Sequence, residues 1–353
     1  MIGWRSPPYM SPSMLDWESL KNAHERIRSC EICRNTPVLT STAMDRHISQ
    51  KVGRPISLFF KCEHLQIVGS FKIRGALNFA LSMPEAVRSK GLVAHSSGNH
   101  GAAVACVGRY LNIPVVVVAP SDAPVSKIRL IESYGAVVER CEPTLESRKQ
   151  TCLRIATKLE MTEVPPFDHE SIIAGQGTQA IEILEALPHT DAIVAAVGGG
   201  GMISGIISAA KHMSPRIKVF GAEPTNADSV SASLIAGQRR GPSKPEEITI
   251  CDALRVSPPG ARCWEVLSTS CDGIFLVDDA SIREAMKCIL FDLKQLVEPS
   301  GACAVAAVFS DEFILRLIES ADISRIVVIL CGGNVDPGVF KDLVFPSIDP
   351  IPQ

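Results

Sequence analysis

Apolar positions along the chain follow two alternating rhythms. Short runs rich in Val, Ile and Ala predict buried strands at residues 56–61, 91–95, 115–119, 137–140, 191–197, 218–222 and 326–331. Segments whose apolar residues recur at helical spacing lie between them. They predict helices at 16–27, 73–82, 102–111, 125–133, 145–161, 177–187 and 202–211. The first of these carries Trp17, Leu20 and Ile27 roughly on one side. Residues 36–39 are expected to be extended, because the position before Pro37 avoids the α region. Ser281 and Glu284 form a capping-box pattern for a helix to about residue 296, and small residues at 300–310 predict another helix. Residues 1–12 are expected to form an irregular lead, and 239–245 a loop.

Strand alternating with helix implies parallel strands joined by crossover helices. The fold class is therefore α/β, with two open αβα lobes and mostly parallel sheets. Residues 1–89 together with 169–353 form the larger lobe in this reading, and residues 90–168 the smaller one.

Composition narrows the possible functions. The chain has 353 residues, 46% of them apolar and 21% charged, which is enough for a large core and ordinary for a globular protein. Its formal charge is −3, from 35 basic and 38 acidic side chains, and no basic block stands out, so nucleic acid is not an expected partner. The longest apolar runs, such as 113–119, are strand-length and too short to cross a bilayer. No secretory pattern opens the chain, although Arg5 without an acid before Asp16 leaves a targeting lead open. The 12 cysteines are scattered through predicted elements, which suits a reducing, cytoplasmic setting. Cys30 and Cys33 form a CxxC with no second pair at zinc spacing, so they are expected to be core thiols.

Four strings carry chemistry. In Ser70-Phe71-Lys72-Ile73-Arg74-Gly75-Ala76, Lys72 is a candidate Schiff-base lysine, with Phe71 able to present a ring face beside a flat cofactor. Ser96-Ser97-Gly98-Asn99-His100-Gly101 ends a strand and opens a helix, which turns backbone N–H groups outward. Gly198-Gly199-Gly200-Gly201 does the same with bare backbone and suits a phosphate. Cys331-Gly332-Gly333-Asn334 follows the last strand. Each has a plain alternative: a surface lysine at a helix start, an N-cap serine, a core thiol. The glycine run also admits a dinucleotide, with Glu223 near the ribose position. But Ser204 stands where the third glycine belongs, and no hydride-transfer group accompanies it.

In this order, over about residues 25–336, the four strings resemble the fold-type II pyridoxal-phosphate enzymes of the tryptophan-synthase-β type. The nearest branch is similar to serine racemase and the serine/threonine dehydratases. The resemblance implies that Lys72 holds the cofactor and that Gly198, Gly199, Gly200, Gly201 and Met202 hold its phosphate. It places Asn99 on the ring hydroxyl, Phe71 against one ring face and Cys331 beside the pyridine nitrogen. It gives the substrate carboxylate to Ser96, Ser97, Asn99 and His100, puts Arg148 near the closed site, and makes residues 90–168 a mobile substrate-binding domain. Lys72 and Ser97 are the implied catalytic pair, on opposite faces of the substrate Cα.

Related enzymes bind a magnesium or calcium ion. Glu223 and the carbonyl of Ala227 match two of its ligands, but Ser229 stands where an aspartate is expected. Lys61, Lys294 and Asn334 match residues near a nucleotide-effector site, so an ATP effector is part of the resemblance, as is a homodimer. A neutral Cys331 gives a moderate electron sink, which favours elimination. The expected function is a lyase releasing ammonia from L-serine or L-threonine. Serine racemisation with side elimination and 3-hydroxyaspartate dehydration are the alternatives, and a noncatalytic binding protein is the reading from another class.

Overall fold

The computed structural model describes residues 14–96 and 98–346. The lead at 1–12 and Ser97 lie outside the described residues. Ten strands are present among the described residues. In chain order they are β1 (Val38–Thr40), β2 (Ser57–Lys61), β3 (Leu92–His95), β4 (Val115–Pro120), β5 (Val137–Cys141), β6 (Thr162–Glu163), β7 (Ala192–Ala196), β8 (Lys218–Pro224), β9 (Gly273–Val277) and β10 (Arg325–Ile329).

Six of them form one sheet in the order β1-β2-β10-β7-β8-β9, and four form a second in the order β5-β4-β3-β6. β1 runs antiparallel to β2, and every other neighbouring pair is parallel. Helices cover the sheets to give two αβα lobes. The Val-rich run of β4 is buried throughout Val115–Ala119, as a parallel strand covered on both faces requires. No helix among the described residues is long and apolar enough to cross a membrane.

Three helices set the geometry of the cleft. The buried helix Glu170–Ala186 lies between Lys72–Ser82 on one side and Gly201–Met213 on the other. Glycines make both contacts. A Cβ on Gly175 would stand 2.6 Å from the Arg74 carbonyl oxygen and 2.8 Å from Gly75 Cα. A Cβ on Gly205 would run into the Ile173 carbonyl and stand 2.6 Å from the Gly177 nitrogen. The lysine helix and the helix that opens with the glycine run are thus held to one spacer, backbone against backbone.

Several expectations need correction. The spacer helix starts at Glu170, not 177, capped by His169, whose Nδ1 accepts from the Ser171 N–H at 3.1 Å. The helix after β9 is Asp279–Cys288, capped by Asp278 rather than Ser281. The Asp278 carboxylate accepts the Ser281 N–H at 2.7 Å, so Ser281 is inside the first turn. That helix does not run regularly to 296. It widens into a π turn at Ile289–Leu293 and stops at Lys294, whose φ is 58°. Helices at Thr42–Val52, Ser229–Ala236, Ala261–Ser270, Asp311–Glu319 and Pro337–Val344, and the strand β9, were not anticipated from the pattern.

Candidate active site

Lys72 is the first residue of its helix, and the end of β10 fixes where that helix begins. Ser70 bridges Gly332, the Phe71 N–H donates to the Cys331 carbonyl at 3.1 Å, and the Gly333 N–H donates to the Gly69 carbonyl at 2.9 Å. Two of the four strings, far apart in sequence, are thereby stitched together. Two residues further on, Arg74 is fully buried. Its guanidinium donates to Glu63 at 2.7 and 2.8 Å and to Glu182 at 2.7 Å. Lys61 pairs with Glu182 at 2.6 Å, which balances two buried cations with two carboxylates. Taking away one partner of such a cluster leaves an unmatched buried charge, at a cost of about 3–5 kcal/mol. The start of the lysine helix is therefore rigidly anchored.

The Lys72 Nζ donates to the Pro166 carbonyl at 2.7 Å and stands 5.2 Å from the centre of the Phe71 ring. Burial lowers its pKa to about 8, against the opposing pull of Cys331, Cys263 and Glu298. An appreciable part of the amine is then unprotonated near neutrality, as a nucleophile for an aldehyde needs.

The glycine run follows β7 and opens the Gly201–Met213 helix. Gly200, at φ 94°, is its cap and has no side chain to offer. The first N–H groups of a helix have no partner within it, and here bare backbone and the positive helix end converge. The Gly199 carbonyl accepts the Gly260 N–H at 3.0 Å, and Phe167 lies against Gly199 and Gly201. Asp168 caps the neighbouring helix, accepting from the N–H groups of Ala261, Arg262 and Cys263 at 2.8, 2.9 and 3.2 Å. A helix start of this kind is suited to an anion such as a phosphate, and Met202 is buried in its first turn.

At the other end of the site, the Cys331 thiol is buried and donates to the Ser300 carbonyl at 3.3 Å. Burial pushes its pKa well above the usual thiol value, so it is neutral. Asn99 opens the helix after β3, with its Nδ2 on Glu298 at 2.8 Å and its Oδ1 receiving Asn334 Nδ2 at 2.8 Å. Glu298 was missed in the sequence. Its one signal is an acid directly before Pro299 at the start of a small-residue helix.

The substrate group is only partly assembled. Ser96 directly follows β3, and its Oγ accepts the Gly98 N–H at 3.2 Å. His100 is on the helix that follows, near enough to Lys72 for that charge to act on it. It is buried in the first turn of its helix, with Nε2 donating to the Val164 carbonyl at 2.9 Å, and burial takes its pKa down to about 3, so it is neutral. Arg148 is in the first turn of the helix Leu145–Leu159 and donates to the Thr144 carbonyl at 3.4 Å; its charge acts on His95, and no described contact ties it to Lys72. Ser97 lies outside the described residues.

The proposed cation ligands do not fit a hard ion. Both oxygens of buried Glu223 cap the Ser229–Ala236 helix, accepting the Val230 and Ser231 N–H groups at 2.9 and 2.8 Å. Burial nevertheless raises its pKa to about 8. Ser229 donates its hydroxyl to the Val256 carbonyl at 3.1 Å, and Asp228 is taken by Ser243. One engaged carboxyl, the Ala227 carbonyl and a neutral hydroxyl are a poor donor set for magnesium or calcium. Of the three nucleotide-effector matches, Lys294 is exposed and donates to the Phe291 carbonyl. Lys61 is buried in its ion pair, and Asn334 is turned inward onto Asn99 and the Val68 carbonyl.

A family model described as "Pyridoxal-phosphate dependent enzyme" matches residues 31–332. A serine racemase of Dictyostelium discoideum is 40% identical over 321 residues, covering 90% of this chain and 94% of that protein. The chain belongs to the fold-type II pyridoxal-phosphate enzymes, in the serine racemase/dehydratase family. The solved structure of maize serine racemase superposes with a TM-score of 0.86 at 39% identity, covering 92% of this chain and 95% of that one. A pyridoxal 5'-phosphate-dependent aspartate racemase gives 0.84 at 36% identity, over 90% and 95%. The enzyme uses pyridoxal phosphate and acts on a small amino acid. The residues in hand fit that cofactor. A buried amine of lowered pKa suits its aldehyde, a bare-backbone helix start suits its phosphate, and a neutral thiol and an amide suit its ring. Family membership sets aside the dinucleotide and binding-protein readings.

Proposed function

We propose that this enzyme racemises serine, with β-elimination to a 2-oxo acid and ammonia as a side reaction. The observation that carries this is similarity to serine racemases of about 40% over some nine-tenths of both chains. That ordering reverses the expectation from sequence, which put elimination first. Bound pyridoxal phosphate supplies the electron sink that makes the substrate Cα proton removable.

The chain's own residues divide the remaining work. Lys72 holds the cofactor, and its amine, with a pKa of about 8, moves the proton on its own face of the Cα. The Ser97 hydroxyl serves the opposite face. The N–H groups of Gly198 to Met202 hold the phosphate, and the turn at Ser96 holds the substrate carboxylate. Phe71 and Asn99 orient the ring, and Cys331 is its uncharged neighbour. That neutrality keeps elimination in play beside inversion.

The two outcomes separate at Ser97. Inversion needs a proton donor on the face away from Lys72; elimination from L-serine needs only removal on the Lys72 face. Ser97→Ala is expected to abolish formation of D-serine and reaction of D-serine while leaving measurable pyruvate from L-serine. Some loss of pyruvate is also expected, since a misplacement of about 1 Å at this turn can cost on the order of 100-fold. The measurement is the ratio of D-serine to pyruvate in wild type and variant. A wild type that forms no D-serine would sink the racemase reading and leave the lyase.

A further inference from the structure

Glu298 has no part in the reading above, yet it is buried at the ring end of the site. It directly precedes the helix Pro299–Val308. Its N–H donates to the Gly332 carbonyl at 3.1 Å, and its Oε1 accepts from Asn99 Nδ2 at 2.8 Å. A Cβ on Gly332 would stand 2.5 Å from that oxygen and 3.1 Å from Asn99 Nδ2, so the glycine after Cys331 makes room for this pair.

The far end of the chain of hydrogen bonds fixes who donates. The Val68 carbonyl can only accept, so Asn334 turns its Nδ2 toward it at 2.7 Å. The same Nδ2 donates to Asn99 Oδ1 at 2.8 Å. Asn99 must therefore face Glu298 with its Nδ2, and the Glu298 oxygen must accept. One N–H of the Asn99 amide is committed to Glu298, and its second is directed elsewhere with no freedom to flip.

We propose that Glu298 is a positioning residue of the reaction, which acts through Asn99 to aim that second N–H at the oxygen on the cofactor ring and holds it more firmly once it has lost its own proton. This rests on the assignment of Asn99 to the ring. The groups facing Glu298 are Asn99, the Asn334 N–H, Cys331, Cys251, Lys72, Asp252 and Lys127. Burial is the largest influence and Asp252 adds to it, while Lys127, Asn99 and the Asn334 N–H oppose it. The result is a pKa of about 7. As pH rises through that value, a neutral acceptor becomes a carboxylate and its bond from Asn99 becomes charge-assisted and shorter.

The test uses the holoenzyme without substrate. The absorption of the bound cofactor is followed across the neutral range in wild type and Glu298→Gln. Borohydride reduction and peptide mapping count the pyridoxyl groups on Lys72 in each. Wild type is expected to show a spectral step near pH 7, and Glu298→Gln to lose it at equal occupancy of Lys72. A purely structural role would change unfolding but leave the step in place, so a step retained in Glu298→Gln overturns the proposal. If that variant does not fold, infrared difference spectra of wild type decide. A buried carboxylic C=O band that disappears through the same step supports the proposal, and its absence overturns it. Asn99→Ala tests the underlying assignment separately. An unchanged cofactor spectrum there removes Asn99 from the ring and takes the proposal with it.

Discussion

The Lys72 ammonium gives up its hydration on folding and gains one hydrogen-bond acceptor, the Pro166 carbonyl at 2.7 Å, in return. That imbalance is why its pKa falls to about 8 from an ordinary 10.5. The sign follows directly. Between those two values the unfolded chain holds the proton and the folded one does not. This lysine's contribution therefore makes the cofactor-free protein less stable as pH drops from about 10.5 through about 8, and has no further slope below. The same titration governs capture of pyridoxal phosphate, whose rate is expected to rise with pH through about 8 in stopped-flow absorbance. Lys72→Ala is expected to abolish turnover and to shift no pyridoxyl adduct to another lysine after borohydride; an adduct mapped elsewhere would end the assignment. At this scale the use of pyridoxal phosphate was legible, because the strings that point to it are short and their chemistry is local. Glu298 and His100 were not. An acid before a proline and a histidine after an asparagine carry no local mark of what will bury them.

Among the elements, the helix Glu170–Ala186 shows where pattern reading loses to packing. The pattern put its start at 177, well inside the observed helix, whose interior holds two residues of low helix propensity, Gly175 and Gly177. In the fold they are interior to the helix, and they are there because neighbouring backbones lie where a side chain would go. Gly205→Ala is expected to show this. Its Cβ would meet the Ile173 carbonyl and the Gly177 nitrogen, atoms that cannot swing aside as a side-chain tip can. The two helices must part, at a cost of about 1–3 kcal/mol. The glycine run would then move relative to Lys72. The expected outcome is a lower melting temperature together with weaker cofactor binding by equilibrium dialysis. A lower melting temperature with unchanged cofactor affinity would show that the spacer does not set the distance between lysine and phosphate. The misplaced cap after β9 has a similar origin. Ser281 fits a capping box by type, but Asp278 accepts its N–H and starts the helix earlier.

For the molecule as a whole, the two lobes share buried apolar packing, with Ile73, Ala76 and Leu77 in one cluster with Ala102–Val107 of the helix after β3, and polar contacts cross above it. Lys72 on one side reaches the Pro166 carbonyl in the segment returning from β6. Lys127, in the Val125–Ser133 helix that follows β4, forms an ion pair with Asp252, which precedes the Ala261–Ser270 helix of the larger sheet's side. A half-exposed pair of this kind is worth about 0.2–1 kcal/mol. If the four-stranded lobe closes on the substrate, Lys127→Ala should weaken that closure by up to about fivefold. The increase is expected in KM for serine, with kcat changed less. An unchanged KM would confine the pair to a surface role.

The sequence by itself determined the alternation of strand and helix, the parallel two-lobed class and the cofactor's chemistry. These follow from backbone rhythm and from groups placed within a few residues of one another. Tertiary structure alone decided which polar groups share a buried space. Asn99 and Glu298 are 199 residues apart, and Asn334 lies 235 beyond Asn99. Glu223 became a helix cap and Lys61 an ion-pair partner through the residues packed around them. Their charge states are set by lost hydration and by partners brought from distant segments, which are quantities that exist only once the chain has folded.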